Sequence, residues 1–183
     1  MLGDLTDTSV KIWVQTSEPT PLRIDIHGTY YFFEETSTQE ANCTSIVQLQ
    51  GLEPSTTYKY SINGEANEAW WFTTRPIAGS TARIAFGSCA NEKEGSSKVW
   101  NRMNDEKIDA LVLLGDTPYI DTTELAIQRK RYQEFSAVPA FAKLVSHTPL
   151  YSTWDDHDFG RNDTDGKLKG KENSRQAFSE YRP

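Results

Sequence analysis

The chain has 183 residues, a formal net charge of −7 and a pI near 5.0. A chain of this length can bury roughly 70% of its unfolded surface, enough for one ordinary domain or two small ones. The acidic balance argues against a nucleic-acid surface, because neutralising phosphates requires a basic face. No apolar run approaches the roughly 20 residues of a membrane span. The two cysteines, Cys43 and Cys89, lie far apart, so no disulfide framework is indicated.

Residues 1–74 show the two-residue alternation that is typical of half-buried antiparallel strands. Val10, Ile12 and Val14 alternate with polar residues, and the pattern recurs over residues 22–26 and 58–62. Because turns separate these runs and tryptophans supply large apolar side chains, this region predicts a small β-sandwich. Residues 75–81, RPIAGST, are predicted to be a linker.

The pattern of apolar and polar residues beyond the linker predicts an α/β domain. Its predicted elements, in chain order, are a strand over 82–87, a helix over 97–106, a strand over 110–115, one long helix over 124–144 and a strand over 149–153. Strands alternating with helices at these spacings indicate a mostly buried, largely parallel sheet. Ligands bind such sheets at the carboxyl ends of the strands.

Acidic side chains follow two of these predicted strands. The stretch 153–163, TWDDHDFGRND, carries four carboxylates and a histidine behind one strand, and Asp116 ends the apolar run 111–115. Carboxylates are rarely buried unless they are paired or bind a cation. Oxygen ligands with an imidazole suit Ca²⁺, Mg²⁺, Mn²⁺ or iron, so the pattern predicts a metal site.

Each of these residues also has a simpler interpretation. Asp116 could cap the next helix, Cys89 could be an inert core residue, and the acidic stretch could be a solvated loop. The isolated His27 and His147 are interpreted as surface or packing residues.

Three motifs in order, FGSCAN, LLGDTPYID and TPLYSTWDDHDFGRND, resemble those of the PhoD-like alkaline phosphatase and phosphodiesterase family of metallophosphatases. The resemblance implies a fibronectin type III-like β-sandwich over 1–74, the linker 75–81, and the N-terminal half of a metallophosphatase α/β core over 82–183. The segment GLEPSTTYKYSI also resembles the corner of a fibronectin domain at which a tyrosine locks a turn.

The resemblance also implies a role for each site residue. Cys89 and Tyr119 would bind Fe³⁺, with Asp116 bridging it to Ca²⁺. Asp156 and Asn162 would be further metal ligands, and His157 would assist the leaving group. Asp155 and Asp158 would orient these groups.

The implied activity is hydrolysis of small phosphate monoesters or diesters, outside the cytoplasm. Relatives complete the centre with a later Asp or Gly-His-x-His segment, so the resemblance predicts a truncated fragment with weak metal binding and little turnover. The other hypothesis is a non-enzymatic surface binding module that retains a degenerate calcium-binding α/β domain.

Overall fold

The computed structural model describes residues 1–79 and 81–183. The strands in these ranges are Leu2–Gly3 (β1), Ser9–Gln15 (β2), Pro21–Ile26 (β3), Phe32–Thr36 (β4), Thr44–Gln50 (β5), Thr57–Ile62 (β6), Glu65–Thr73 (β7), Ile84–Gly87 (β8), Ala110–Leu114 (β9) and Leu150–Thr153 (β10). The helices are Glu94–Asp105 (α1), Leu125–Ser136 (α2), Pro139–Val145 (α3), Asp156–Phe159 (α4) and Lys171–Tyr181 (α5). None of the described helices is long and apolar enough to cross a bilayer.

The first seven strands form two antiparallel sheets over one apolar core. One sheet has the order β1-β2-β5 and the other the order β4-β3-β6-β7. Alternate residues of β2 and β3, among them Ile12 and Ile24, point into the core and are almost completely buried. The alternation seen in the sequence therefore marks the inner faces of the two sheets. The domain boundaries inferred from the sequence stay predictions.

The last three strands form a parallel sheet with the order β10-β9-β8. The chain moves across this sheet in one direction, and right-handed crossovers then place every connecting helix on the same face. Trp100 of α1, Phe135 of α2 and Phe141 of α3 accordingly pack on Leu111 and Leu150 in a single apolar cluster. Only one face of the sheet is covered by these helices.

The other face of the parallel sheet is apolar and exposed. Phe86 of β8 lies beside Val112 of β9, which lies beside Tyr151 of β10. Phe86 is 71% exposed and Ile84 is 56% exposed. The sequence predicted a mostly buried sheet, and the structure differs because nothing in the described part of the chain covers this face.

The long helix predicted over 124–144 is two helices in the structure, α2 and α3, separated at Ala137 and Val138. Pro139 causes the break, since the residue before a proline is disfavoured in the helical conformation, and Val138 is extended with ψ 118°. Proline is then favourable in the first turn of α3.

Side chains from both ends of the chain join the two regions. Trp13 of β2 donates its indole N–H to the carbonyl of Glu180, 2.7 Å away, and its ring packs on Tyr181 at 5.6 Å. Leu2 forms a parallel bridge with Pro149, just before β10. The N-terminal sheets and the α/β region therefore pack directly against one another.

A candidate metal centre at the carboxyl edge of the parallel sheet

Three loops meet where the parallel strands end. Cys89 follows β8, Asp116 follows β9, and α4 begins at Asp156 directly after β10. Cys89 and Asp116 both have left-handed backbones, with φ 58° and 53°. Residues other than glycine rarely adopt this conformation, and such strain is common at functional sites.

Gly115 allows two of these loops to touch. Its φ is 99°, and a Cβ placed on it would lie 2.4 Å from the Cβ of Asp155 and 2.5 Å from the Asp155 nitrogen. Only glycine has both the conformational freedom and the space for this approach. The Gly115 carbonyl also accepts the N–H of Cys89 at 3.2 Å, which ties the third loop to the other two.

The side chains that these loops carry converge on Asp116. The Cys89 thiol donates to Asp116 Oδ2 over 3.6 Å, and the backbone N–H of His157 donates to Asp116 Oδ1 over 3.2 Å. Asp116, Asp156 and His157 offer ligand atoms that all lie within 4.8 Å of one another. Asp116 is 6% exposed, and it does not cap the next helix along the chain, because the N-cap residue of α2 is Glu124.

Tyr119 belongs to the same group of side chains. Its hydrogen bond with Cys89, its burial and the nearby Asp116 charge raise the pKa of the phenol to about 12. The ring of Tyr119 also packs on that of His157, with centroids 4.8 Å apart. Cys89 itself is exposed, so it is not an inert core residue.

His157 is oriented by Asp121, a residue that the sequence analysis did not single out. The His157 Nδ1 lies 2.5 Å from Asp121 Oδ1, and this hydrogen bond is the main reason that the pKa of the imidazole is raised. Because Nδ1 is occupied, Nε2 is the nitrogen left to act on other groups. Asp121 ends the LLGDTPYID motif, which was the available signal for it.

Asp158 is a buried carboxylate next to the loops that form the centre. Its Oδ1 accepts the backbone N–H of Asp155 at 2.6 Å, and the nearby backbone of Thr117 and Asp116 favours the charged form of this carboxyl. Its Oδ2 is buried without a hydrogen-bond partner, and burial raises the pKa of the carboxyl to about 6. Asp158 thus connects the loop after β9 to the start of α4, whereas Asp155 is exposed.

Asn162 is exposed and lies after α4 in the sequence. Its amide donates to the carboxylate of Asp163 at 2.6 Å, and the backbone N–H of Asp163 donates to Asp156 Oδ2 at 2.5 Å. A metal-ligand role for Asn162 stays a prediction.

The donor set suits a cation. In the described ranges, no lysine or arginine nitrogen lies within 4.0 Å of the Asp116 or Asp156 carboxylates. Two converging carboxylates with no lysine or arginine beside them repel each other, and a bound cation would remove this cost. Asp116, Asp156 and His157 therefore form a candidate metal-binding group.

Two solved structures resemble the whole chain. PhoD superposes with a TM-score of 0.82 at 19% identity, over 100% of this chain and 45% of PhoD. The purple acid phosphatase PPD1 from yellow lupin (Lupinus luteus) seeds superposes with a TM-score of 0.69 at 14% identity, over 100% of this chain and 40% of that protein. The chain shares its fold with both proteins. It spans less than half the length of either.

The sequence comparisons are less informative. Residues 1–82 match the model of a domain of unknown function, DUF7800. The comparison with curated proteins gave no match.

Proposed function

We propose that this chain is part of a metal-dependent phosphoric-ester hydrolase of the PhoD-like kind. The observation that carries the proposal is the convergence of Asp116, Asp156 and His157 at the carboxyl edge of a parallel sheet. A fold shared with two phosphatases supports it. The substrates would be small phosphate monoesters or diesters, and the family resemblance favours a periplasmic or secreted location.

In this proposal, Cys89 and Tyr119 would hold Fe³⁺, Asp156 with Asn162 would hold Ca²⁺, and Asp116 would contribute its carboxylate to both ions. Thiolate and phenolate favour a small trivalent ion, whereas Ca²⁺ accepts carboxylate and amide oxygens. A pair of bound cations would supply a hydroxide nucleophile at moderate pH and neutralise charge on the phosphate oxygens.

His157 would donate a proton to the departing oxygen of the ester. Asp121 would keep the imidazole protonated and correctly turned, because its carboxylate accepts from Nδ1 and raises the pKa of the ring. General acid catalysis of this kind contributes about 10²–10⁴-fold. Asp155 and Asp158 would position the loops that carry the ligands.

The exposed apolar face supports the proposal that the α/β core is incomplete. Parallel sheets occur almost only with both faces covered, yet Phe86 and Ile84 are more than half exposed. A further layer of polypeptide, bringing the remaining ligands, would cover this face. In this proposal, residues 82–183 are the N-terminal half of the core.

The fibronectin-like interpretation of residues 1–74 is supported by one side chain. The hydroxyl of Tyr58 accepts the backbone N–H of Glu53 at 2.9 Å, across the turn that precedes β6. This is the kind of hydrogen bond made by a tyrosine corner.

The test measures metal binding and hydrolysis of 4-nitrophenyl phosphate and bis(4-nitrophenyl) phosphate. The 183-residue chain should bind metal weakly and turn over little. In the complete enzyme, Asp116→Asn and His157→Ala should abolish hydrolysis while the fold survives. Asp105→Asn, an exposed carboxylate on α1, serves as the matched control and should retain activity.

Two results would count against the proposal. A complete enzyme that hydrolyses neither ester with any metal would favour a binding module instead. Efficient hydrolysis by the 183-residue chain alone would contradict the incomplete core.

A further inference from the structure

A cleft of about 760 Å³ lies between the N-terminal sheets and the α/β region. Its lining includes Ile108, Pro149 and the stacked rings of Trp71 of β7 and His147. Small-molecule sites typically measure about 300–1,000 Å³ and often lie at junctions of this kind. We propose that this cleft binds an organic anion with a planar aromatic body.

The cleft is separate from the candidate metal centre. It is lined by Asp109 and Pro149, which precede β9 and β10, whereas Asp116 and Asp156 follow those strands. A five-residue strand spans roughly 16 Å at about 3.3 Å per residue. A molecule in the cleft therefore lies at the opposite edge of the sheet from the metal ligands.

A pair of stacked rings forms the aromatic wall. The indole of Trp71 and the imidazole of His147 lie 5.0 Å apart and are inclined by only 13°. The end of α3 is held against the N-terminal sheet, because the Tyr60 hydroxyl of β6 donates to the carbonyl of Ser146 at 3.3 Å. A flat, preformed aromatic surface suits a planar ligand. Few side chains have to become ordered when the ligand binds, so the entropic cost of binding is small.

The charges along the cleft favour an anion. Arg75 is already engaged, since it donates to the carbonyl of Asp109 and lies 3.7 Å from its carboxylate. In the part of the chain that the structure describes, neither Lys107 nor Lys143 has a carboxylate oxygen within 4.0 Å. The lining holds two acidic side chains, Glu68 and Asp109, and Asp109 faces Arg75.

His147 adds no charge of its own. Burial, together with the neighbouring Lys143, lowers the pKa of its imidazole, so the ring is neutral at physiological pH and serves as a stacking surface. The lysines then supply the ionic contacts at the rim, while Ile108 and Pro149 contact the apolar body of the ligand.

Binding is tested by isothermal titration calorimetry of the EDTA-treated 183-residue chain with 2-naphthoate. Working without metal makes the result independent of the proposed hydrolase. We expect a saturable site with Kd below about 1 mM, and at least tenfold weaker binding of naphthalene-2-carboxamide, which has the same rings without the charge. A bound ligand should also raise the melting temperature.

Two variants locate the site. Lys143→Glu should weaken 2-naphthoate binding at least tenfold, and Trp71→Leu should do so for both naphthalene ligands, with circular dichroism to verify folding. Lys169→Glu, an exposed lysine outside the cleft, is the charge-matched control and should bind as the wild type does. The proposal is overturned if 2-naphthoate does not bind, if the carboxamide binds equally well, or if Lys143→Glu binds as tightly as Lys169→Glu.

Discussion

Gly115→Ala should disrupt the candidate metal centre more than any other single-methyl change at the sheet edge. The added Cβ would lie 2.4 Å from the Cβ of Asp155 and 2.5 Å from its backbone nitrogen, so backbone has to move. Overpacking costs about 1–3 kcal/mol, and the left-handed backbone costs an alanine roughly 1–2 kcal/mol more. The free energy of unfolding should therefore fall by about 2–5 kcal/mol, a large part of the 5–15 kcal/mol typical of a domain.

The assay for this prediction is urea denaturation of the metal-free chain. It is followed by a metal titration without urea, where both proteins are folded. Gly115→Ala should shift the urea midpoint down and lose metal affinity, because the Asp116 and Asp156 loops are forced apart. Gly87→Ala is the matched control on the same sheet, since a Cβ there meets nothing within 4 Å, and it should change stability by no more than about 0.5 kcal/mol. A Gly115→Ala protein as stable as Gly87→Ala, with intact metal binding, would refute the reasoning.

Three further changes test other parts of the structure. Burial raises the pKa of Asp158 to about 6, so the protonated carboxyl favours folding. The free energy of unfolding of the metal-free chain should fall by roughly 2–3 kcal/mol between pH 4 and 7, and Asp158→Asn should reduce this fall in urea titrations. Tyr58→Phe should lower the free energy of unfolding by about 1 kcal/mol, and equal stability would argue against the corner hydrogen bond. Phe86→Glu should reduce dye binding and self-association of the chain, measured by fluorescence and light scattering, whereas unchanged values would indicate that the face is not accessible.

Local patterns in the sequence predicted several of the strands, and motifs selected residues that the structure brings together. The alternation over residues 10–14 and the apolar run over 111–114 correspond to β2 and β9. Cys89, Asp116 and Tyr119 were selected by motif, and the structure brings them together because each follows or lies near the end of a parallel strand.

Features that depend on tertiary contacts were harder to predict. Glycine is required at position 115 because the chain there touches Asp155, which lies 40 residues further along the sequence. Asp121 has a role only because its carboxylate meets the His157 ring in the folded chain. The prediction of one long helix was wrong, although Pro139 in the sequence already indicated a break. The uncovered face of the sheet could not be foreseen, because an apolar strand has the same sequence whether one face or both are covered.

The central claim is that side chains from three separate loops form one metal centre. X-ray absorption at the iron edge tests this directly, using the chain and its Cys89→Ser variant at protein concentrations high enough to saturate the weak site with Fe³⁺. A sulfur ligand should be present in the wild type and absent in Cys89→Ser, since the other cysteine, Cys43, is buried in the N-terminal region. Iron that has no sulfur neighbour in the wild type, or that keeps one in Cys89→Ser, would contradict the account.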